Sequence, residues 1–598
     1  MTWRNNPVLY LSWKLWKYSK GNQQRVVFYF ILFLLAGLVE LVDPFLVAKI
    51  FNTIQEHGLV PSNLPYLIFL FALFLLTGPV FWLFHGPARV IENRNAFLAS
   101  AHYKKFLLDG TMSLPSAWHV DHHSGDTIDK IGKGTQALYE YGSRTYEVIN
   151  SVVRLIGSYF ILAYFNIHAA YIVVLLMIGT FGLVMAFDRV LIRQYKDLNR
   201  MGNETAAKIF DIISNIGTII TLRVEQLASK ALRKKILAPF PLYVHNVRVS
   251  ETKWFLVSQC STLMTLFVLA SYVALQLHLG VEILIGTLYL LYGYLQNISQ
   301  IFFRFTYLYG DIVQQKTAVL NSEELATSFK VVPSRKNRFR LSARWKTIGI
   351  RSLQFSYHSE EGKEAHLQGV SFFFRRGERI AFIGASGGGK TTVLKLLRGL
   401  YEPSHVEVFC DSKPVRGKLE AVSRQVTLVP QDPELFATTI RENMTFGAPI
   451  TEKELQRAMD LACFTEVVGR LPRGLESSIV EKGVNLSGGE KQRLALARGI
   501  LAATRLPILL LDEPTSSVDV KNERLIYEGV FRTFKDKTII SSVHRLHLLP
   551  LFDRMYFFKN GRIIASGTLG ELLKSSEEFK RMWKKYHGTQ RERPEKKF

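Results

Sequence analysis

Long apolar runs fill the first half of the 598-residue chain, whereas the second half alternates short apolar segments with polar and amphipathic ones. Each long run approaches the roughly 20 residues that an α-helix needs to cross a bilayer. A polar turn near Asn166 is required to divide one near-continuous run into two spans. The pattern predicts six membrane-spanning helices, at residues 26–48, 64–84, 148–165, 167–187, 255–277 and 281–303.

Basic residues between the runs indicate the orientation of the spans. Residues 1–25 carry five basic side chains and no acidic one, whereas the short connections 50–63, 166–168 and 276–280 contain no lysine or arginine. The positive-inside rule therefore places both ends of the chain in the cytoplasm and the three short connections outside. The two long connections, after the second and fourth spans, are then cytoplasmic.

These two long connections read as helix with few breaks, so we expect the membrane helices to extend well beyond the bilayer. Each connection has one short polar interruption, at residues 113–126 and 211–221. We interpret the interruptions as coupling loops that dock on the C-terminal half of the chain. The alternative is that each is an ordinary exposed turn.

Two carboxylates lie inside the first predicted span. Glu40 and Asp43 are three residues apart on one helical face, and Pro44, which follows, favours a kink. A charge within a span usually faces a cavity, so one interpretation is that the pair lines a substrate path and favours a cationic or polar group. The other is that both lie near the outer end of the span and meet water. The aromatic last span has a similar pair of interpretations, cavity lining or ordinary packing.

A polar and basic stretch at residues 321–345 separates the two halves of the chain. The fold class that we predict is multidomain, with an all-α polytopic membrane domain of six long transmembrane helices followed by an α/β nucleotide-binding domain. The predicted boundaries are 1–320 for the membrane domain, 321–345 for the linker, 346–585 for the α/β domain and 586–598 for a disordered basic tail.

A glycine-rich loop is the strongest chemical signal in the second half. Residues 384–391 fit the pattern G-x-x-x-x-G-K-[ST], after a buried strand and before a helix. Glycines let backbone N–H groups approach a triphosphate, Lys390 would reach its β- and γ-phosphates, and the Thr391 hydroxyl would bind Mg²⁺. The alternative is a glycine-rich turn that matches by chance. The predicted loop residues are Gly384, Ala385, Ser386, Gly387, Gly388, Gly389, Lys390 and Thr391.

An apolar strand at residues 507–511 runs into two carboxylates. Its continuous hydrophobicity is typical of a strand buried on both faces of a parallel sheet. Asp512 is placed to help hold Mg²⁺, and Glu513 to orient or deprotonate an attacking water. Two other strands also end in polar residues: Gln431 is suited to bind Mg²⁺ or hold a water, and His544 is suited to contact the γ-phosphate.

Two further segments gain meaning from their order along the chain. Ser487, Gly488 and Gly489 begin a helix, where backbone N–H groups suit anionic oxygens. Tyr357 ends a strand shortly before the glycine-rich loop, where its ring is placed to stack on adenine. Taken alone, the Ser-Gly-Gly segment is explained by a turn with a helix cap, and the tyrosine by ordinary packing.

In this order, the segments resemble the ATP-binding-cassette (ABC) transporters, whose signature LSGGE is present at residues 486–490. The six spans with two long cytoplasmic connections are similar to an exporter half-transporter. The resemblance implies ATP and Mg²⁺ as ligands and a short element at residues 481–483 that contacts the coupling loops. It implies catalytic roles for Glu513, His544 and Gln431, nucleotide contacts by Tyr357, residues 384–391, Thr392, Ser487, Gly488, Gly489 and the D-loop Asp519, and metal contacts by Thr391, Gln431 and Asp512.

The resemblance also implies two ATP molecules at a head-to-tail interface between two chains. Every position needed for hydrolysis matches the consensus, so we expect a homodimeric ATP hydrolase that exports or flips a substrate by alternating access. Two alternatives stay open: one half of a heterodimer, and an ATP-gated channel or regulator. The departures from the family pattern are a Ser-Ser-Val-Asp D-loop and the lack of a glycine-rich hairpin at residues 404–413.

Overall composition adds few constraints. The net charge of +25 is explained by cytoplasmic loops near anionic membrane lipid, so we do not expect nucleic acid as a partner. Three cysteines, far apart, predict neither a disulfide framework nor a zinc site. Because no organellar targeting segment is recognisable, we expect the bacterial inner membrane. Lipids, lipid-linked sugars, peptides, siderophores and drugs all stay open as substrates.

Overall fold

The structure, a computed structural model, describes residues 6–122, 124–331, 341–342, 344–357, 365–479 and 486–591. It divides into two compact units. The first comprises Met1–Ser113 and Ser124–Lys330, and the second comprises Leu114–His123 and Val331–Phe598.

The N-terminal half is built from long helices, and most of the apolar surface of five segments is exposed. Such surface is stable in lipid but not in water, as expected of a multi-pass membrane protein. In chain order the helices are α1 Pro7–Tyr18, α2 Gln23–Glu40, α3 Val42–His57, α4 Leu64–Met112, α5 Ser116–Asp121, α6 Ser124–Ser143, α7 Thr145–Phe165, α8 Ile167–Ser214, α9 Ile216–Thr221, α10 Glu225–Leu237, α11 Phe240–Leu279 and α12 Ile285–Val331. The five segments long and apolar enough to span a membrane, among the described residues, are Gln23–His57, Leu64–Met112, Thr145–Phe165, Ile167–Ser214 and Glu225–Leu279.

The sixth predicted span lies in α12, which is long enough to cross but is absent from those five. Polar residues in its first half, including Asn297 and Ser299, lower its hydropathy. Both are buried inside the unit, where Ser299 accepts a hydrogen bond from Ser261 at 2.6 Å. A polar contact between helices therefore replaces part of the apolar surface, and the sixth crossing stays a prediction.

The turn predicted between the third and fourth spans is confirmed. Asn166 is extended and separates α7 from α8, and its Oδ1 accepts a hydrogen bond from the Ala169 N–H at 3.1 Å. Its own N–H donates to the Leu162 carbonyl oxygen at 2.9 Å. One asparagine thus ends one helix and caps the next.

The kink expected near Pro44 is confirmed as a break at Leu41, between α2 and α3. Proline lacks an N–H and its ring clashes with the carbonyl group four residues earlier, which disfavours a continuous helix. The hydroxyl of Tyr294 donates to the Leu41 carbonyl oxygen at 2.6 Å. Because Tyr294 is completely buried, this aromatic residue of α12 serves packing; the side chains of Phe302, Phe305 and Tyr307 lie outside the described residues.

Glu40 and Asp43 flank this break, near the middle of Gln23–His57. The helical segment of 35 residues is longer than the ~20 that cross a bilayer, so both interpretations, a substrate path and an outer end that meets water, stay open. Glu40 Oε2 lies 3.9 Å from Arg154 Nη1, and Arg154 also donates to Asn297. Among the described residues, Glu40 Oε2 and Asp43 Oδ1 are shielded without a hydrogen-bond donor. A role of the pair in a substrate path stays a hypothesis.

The two predicted interruptions are present as the short helices α5 and α9. Residues Leu114–His123, around α5, group with the second compact unit, although the docking role of both interruptions stays a prediction. The neighbouring helices α4 and α8 contain 49 and 48 residues. At 1.5 Å per residue each is about 70 Å long, more than twice the ~30 Å hydrocarbon core, so both extend well beyond the bilayer.

The second unit is α/β, as predicted, and contains two sheets. The smaller is antiparallel, in the order β2-β1-β4-β5, and the larger, in the order β10-β9-β3-β8-β7-β6, is parallel apart from β10. The strands are β1 Thr347–Ser356, β2 Ala365–Arg375, β3 Arg379–Gly384, β4 His405–Cys410, β5 Lys413–Pro414, β6 Val426–Val429, β7 Ile508–Asp512, β8 Thr538–Ser542, β9 Arg554–Lys559 and β10 Arg562–Gly567. The helices are α13 Lys390–Arg398, α14 Lys418–Ser423, α15 Ile440–Thr445, α16 Glu452–Leu461, α17 Thr465–Arg470, α18 Gly488–Ala503, α19 Val520–Thr533, α20 Leu569–Ser575 and α21 Glu577–Arg591.

The central strands β7 and β8 are buried at every position, as predicted for parallel strands covered on both faces. The hairpin in doubt at residues 404–413 forms without glycine. Asp411 and Ser412 adopt φ values of 49° and 66° at its turn, a conformation that short polar side chains tolerate better than most.

The prediction of a disordered tail from residue 586 is wrong at its start, because α21 continues to Arg591. Met582, Trp583 and Tyr586 pack against the apolar core, and the Tyr586 hydroxyl lies 3.1 Å from His547 Nδ1. This apolar face stabilises a helix that the charged composition concealed. Likewise, α12 continues past the predicted boundary at residue 320; residues 332–340 of the linker and 592–598 of the tail lie outside the described residues.

The topology predicts that two exposed positions lie on opposite sides of the membrane. His168, at the start of α8, would lie outside, and Asn215, directly after α8, would lie in the cytoplasm. After replacement of Cys260, Cys410 and Cys463, we expect His168→Cys to react with a membrane-impermeant maleimide in intact cells. Asn215→Cys, the control, is expected to react after permeabilisation. Labelling in the reverse pattern would contradict the orientation inferred from the basic loops.

Candidate functional site

The glycine-rich loop joins β3 to α13, and its conformation excludes side chains at two positions. Gly384 has a φ of 139°, and a Cβ there would lie 2.2 Å from the Phe558 carbonyl oxygen. Gly389 has a φ of 101°, and its Cβ would lie 2.6 Å from Leu367 Cδ2. Glycine at both positions lets the backbone turn tightly before the helix, a conformation suited to an anion. Ala385, Ser386, Gly387 and Gly388 complete the loop, and Thr392 lies in the first turn of α13.

Lys390 is buried at the start of α13, and its ammonium group lies across the loop. Its Nζ donates to the carbonyl oxygens of Gly384 at 2.9 Å and Ala385 at 3.0 Å. Burial lowers the pKa of Lys390, against the opposing effect of the nearby Glu513 and Asp512 carboxylates. The cation is therefore held inside the loop, where phosphate oxygens would meet it.

Thr391 and Asp512 form the oxygen pair predicted to hold a metal ion. The Thr391 hydroxyl donates to Asp512 Oδ1 at 2.8 Å, and Asp512 is buried at the end of β7. Burial raises the pKa of Asp512, and the neighbouring Glu513 adds to this, while Thr391 and two lysines oppose it. A hydroxyl and a carboxylate that a cation would further stabilise are a donor set that fits Mg²⁺.

Glu513, the residue after β7, adopts a φ of 48°. This left-handed conformation is strained for a residue with a Cβ and is typical of functional positions. Its Oε1 lies 2.8 Å from His544 Nε2 and accepts from the Ser542 hydroxyl at 3.5 Å. Its Oε2 accepts from the Gln431 amide at 3.4 Å.

The protonation of Glu513 follows from these contacts. Burial opposes its ionisation, but the hydrogen bond from His544 and nearby positive charge, including Lys390, hold the pKa of Glu513 below its ordinary value. The carboxylate is therefore ionised near neutral pH and able to accept a proton. The structure brings Gln431, Glu513 and His544 together, as the strand-end pattern predicts.

The signature segment begins α18 with a capping box. The Ser487 hydroxyl accepts from the Glu490 N–H at 3.3 Å, and Glu490 Oε2 accepts from the Ser487 N–H at 2.9 Å. The other carboxylate oxygen of Glu490 lies 2.7 Å from Arg470. Backbone and side-chain hydrogen bonds from Ser487 lower the pKa of Glu490. Gly488 and Gly489 form the first turn of α18, whereas Asn485 and residues 481–483 lie outside the described residues.

Three predicted site residues make their contacts with residues outside the loop. Among the described residues, no hydrogen bond joins Ser487 or Asp519 to residues 384–391. Asp519 instead caps α19, accepting from the Asn522 N–H at 3.0 Å. The Tyr357 ring, after β1, meets Phe355 edge-on at a centroid distance of 4.7 Å. Within one chain, the described residues therefore bring together the loop, Thr391 with Asp512, and Glu513 with His544 and Gln431.

Ser542 is a site residue to which the sequence pattern assigns no role. It ends β8 opposite Asp512 in the parallel register, and its hydroxyl faces Glu513. The available signal was a pair of buried serines, Ser541 and Ser542, in an otherwise apolar strand. Two other unpredicted contacts, made by Gln492 and Arg545, concern the D-loop.

Comparison with known proteins supports this arrangement. The sequence profile for the family described as ABC transporter matches residues 367–516. The chain is 26% identical over 569 residues to a multidrug resistance ABC transporter ATP-binding and permease protein of Lactococcus lactis, which covers 93% of each protein. It is 35% identical over 232 residues to ABC transporter B family member 21 of Arabidopsis thaliana, covering 38% of this chain and 18% of that protein.

The fold is shared with a solved structure described as a bacterial Atm1-family ABC exporter with ATP bound. The TM-score is 0.81 at 22% sequence identity, and the match covers 94% of this chain and 99% of that one. The likeness extends over both the helical and the α/β parts.

Gly384→Ala tests the constraint on the loop. A Cβ 2.2 Å from a backbone oxygen cannot be relieved by a side-chain movement, so we expect a loss of about 2–3 kcal/mol in stability and loss of nucleotide binding. Thermal unfolding and titration with a fluorescent ATP analogue measure the two effects. Gly469→Ala, in α17 and outside the loop, is the control, because its Cβ would meet no atom within 4 Å and its backbone does not need a positive φ. Equal effects of the two variants would contradict the steric explanation.

Proposed function

Since the chain belongs to the ABC transporter family, as a half-transporter with a helical membrane unit followed by one nucleotide-binding unit, we propose that it hydrolyses ATP to export or flip a substrate by alternating access. Its exporter class, with ATP-binding and permease parts, follows from the relatives. We propose in addition that the chain hydrolyses ATP, works by alternating access, forms a homodimer and has both termini in the cytoplasm.

The observation that carries the proposal is the ionised Glu513 carboxylate beside the glycine-rich loop. Its contacts with His544 and Gln431 orient the carboxylate, and its lowered pKa keeps it ionised near neutral pH, so that it is free to accept a proton. We propose that Glu513 accepts a proton from the water that attacks the γ-phosphate. A protein that merely binds ATP as a gate would not need this base, which favours the transporter over the channel alternative.

The remaining residues of the site divide the binding of ATP among them. The loop N–H groups and the Lys390 ammonium would bind the phosphates, His544 would contact the γ-phosphate, and Tyr357 would stack on adenine. Thr391, Asp512 and Gln431 would hold Mg²⁺. When bound, Mg²⁺ neutralises charge that develops on the phosphate oxygens.

We propose that two identical chains form the working transporter. Ser487, Gly488, Gly489 and Asp519 are not joined to the loop in one chain, so they are available to a nucleotide held by a second chain. Two such sites would form at a head-to-tail interface. ATP can favour the closed pair through its higher affinity for that state, and hydrolysis would release it.

The membrane unit is the proposed substrate path. The break at Leu41 brings the shielded Glu40 and Asp43 carboxylates into the middle of an apolar segment, where ionisable groups commonly mark a transport path. We propose a cationic or polar group in the substrate. The proposed location is the bacterial inner membrane, with membrane lipid as the surrounding partner. By the basic-loop argument, both chain termini would be cytoplasmic.

Glu513→Gln is the direct test of the proposed base. The amide keeps the size of the side chain but cannot take a proton, so we expect ATP to bind while turnover falls by at least about a hundredfold. Steady-state phosphate release and nucleotide binding, measured on the same lipid-reconstituted sample, separate the two. Multiple turnovers at the wild-type rate would exclude Glu513 as the base.

Purified wild-type protein alone tests the assembly. Robust ATP hydrolysis from a particle with the mass of two chains is expected for a homodimer. ATP binding without turnover, from a well-folded sample, would instead indicate a missing partner chain with a degenerate site. Ion conductance that persists in Glu513→Gln would favour the ATP-gated channel.

A further inference from the structure

The amide of Gln492 connects three segments of the nucleotide-binding unit. Gln492 lies in α18, one turn after the signature glycines, and is buried. Its Nε2 donates to the Gln431 carbonyl oxygen at 3.2 Å and to the Ser516 hydroxyl at 2.7 Å. Its Oε1 accepts from the Ser517 N–H at 2.8 Å. One side chain therefore joins the signature helix, the Q-loop and the D-loop, residues 516–519.

The partners determine the orientation and the chemistry of this amide. A backbone N–H can only donate, so the oxygen of Gln492 must face Ser517, and its nitrogen must face the carbonyl oxygen of Gln431. A carboxylate at this position would still accept from the Ser517 N–H. It would, however, place a carboxylate oxygen against the Gln431 carbonyl oxygen, where no hydrogen bond can form. The contacts therefore require an amide, not merely a side chain of this length.

The D-loop also packs closely against the signature. A Cβ on Gly489 would lie 2.7 Å from the Ser517 carbonyl oxygen, so a glycine is needed here for packing within the same chain, besides any contact with phosphate. Gln492 therefore accepts the hydrogen bond of the Ser517 N–H, while the lack of a side chain at Gly489 leaves room for the Ser517 C=O group.

Arg545, the residue after His544, also bonds the D-loop. Its guanidinium donates to the carbonyl oxygens of Ser516 at 3.0 Å and Val518 at 2.9 Å. The buried Glu523 orients it, with 3.1 Å between Glu523 Oε2 and Arg545 Nη1. The D-loop is consequently clamped between the signature helix and the segment that carries the histidine.

We propose that Gln492 is a positioning residue that makes the signature, the D-loop and the Q-loop move as one body. The proposal rests on the function proposed above. In that function Ser487 and Asp519 serve the nucleotide of the second chain, whereas Gln431 and Glu513 serve the nucleotide of their own chain. The Gln492 amide would then transmit the state of one nucleotide site to the other, without itself touching ATP.

Gln492→Ala tests the clamp by two independent measurements on the full-length transporter in lipid. Because the Ser517 N–H loses its acceptor, we expect hydrogen exchange in a peptide covering residues 514–519 to become about tenfold faster without nucleotide. We also expect kcat for ATP to fall about tenfold or more, its Hill coefficient to approach one, and KM to change less than about threefold.

Gln425→Ala is the matched control. Gln425 also makes two side-chain hydrogen bonds in the same unit, with Trp345 at 3.0 Å and Leu341 at 3.3 Å, but away from the D-loop. It should change neither D-loop exchange nor cooperativity. Gln492→Glu serves as the second variant: it keeps the acceptor for Ser517, so exchange should stay near the wild-type rate while kcat still falls. If Gln492→Ala does not fold, the kcat and the Hill coefficient of Gln492→Glu test the proposed transmission between the two sites.

Unchanged D-loop exchange in Gln492→Ala would overturn the proposed clamp. Wild-type kcat and cooperativity in both Gln492 variants would overturn the proposed transmission between sites. Exchange does not depend on turnover. A wild-type protein that binds but does not hydrolyse ATP would therefore contradict the proposed function. Hydrogen exchange of residues 514–519 would still test whether Gln492 holds the D-loop.

Discussion

The parallel register of β7 and β8 is the constraint on which the chemistry of the second unit depends. Asp512 is paired with Ser542, so the residues that follow each strand, Glu513 and His544 among them, emerge at the same edge of the sheet. The left-handed backbone of Glu513 costs about 1 kcal/mol or more, and hydrogen bonds from Ser542, Gln431 and His544 offset this strain. Backbone pairing within an apolar core thus holds an ionised carboxylate beside the phosphate loop.

A comparable constraint operates in the membrane unit, where lipid offers no hydrogen bonds to the backbone. Pro44 interrupts the helical ladder, and the buried Tyr294 hydroxyl satisfies the Leu41 carbonyl group. The interruption also leaves Glu40 and Asp43 inside the apolar segment, with Arg154 as the nearest counter-charge of Glu40. The same break therefore receives a hydrogen bond from α12 and lies beside the polar groups that we assign to a substrate path.

Much of this architecture could be predicted because its signals are local. Strand ends, the glycine-rich loop and the turn at Asn166 each depend on residues close together in the chain. Contacts between distant segments could not be predicted this way: Gln492 meets Ser517 because the fold brings α18 against the D-loop. The charged composition of the C-terminal segment predicted disorder from residue 586. The segment instead stays helical to Arg591, because Tyr586 packs on the core and its hydroxyl lies beside His547. In α12, Asn297 and Ser299 are satisfied inside the bundle, which weakens the hydropathy signal of a long helix.

The length of α8, which contains no proline, has a mechanical consequence. A helix of about 70 Å behaves as a stiff rod with its pivot in the bilayer, and roughly half of it projects outside the lipid. A tilt too small to disturb side-chain packing near the pivot is multiplied into a displacement of several ångströms at the far tip. In the proposed alternating-access cycle, α8 would therefore act as a lever whose reach is set by how many of its residues lie beyond the membrane surface.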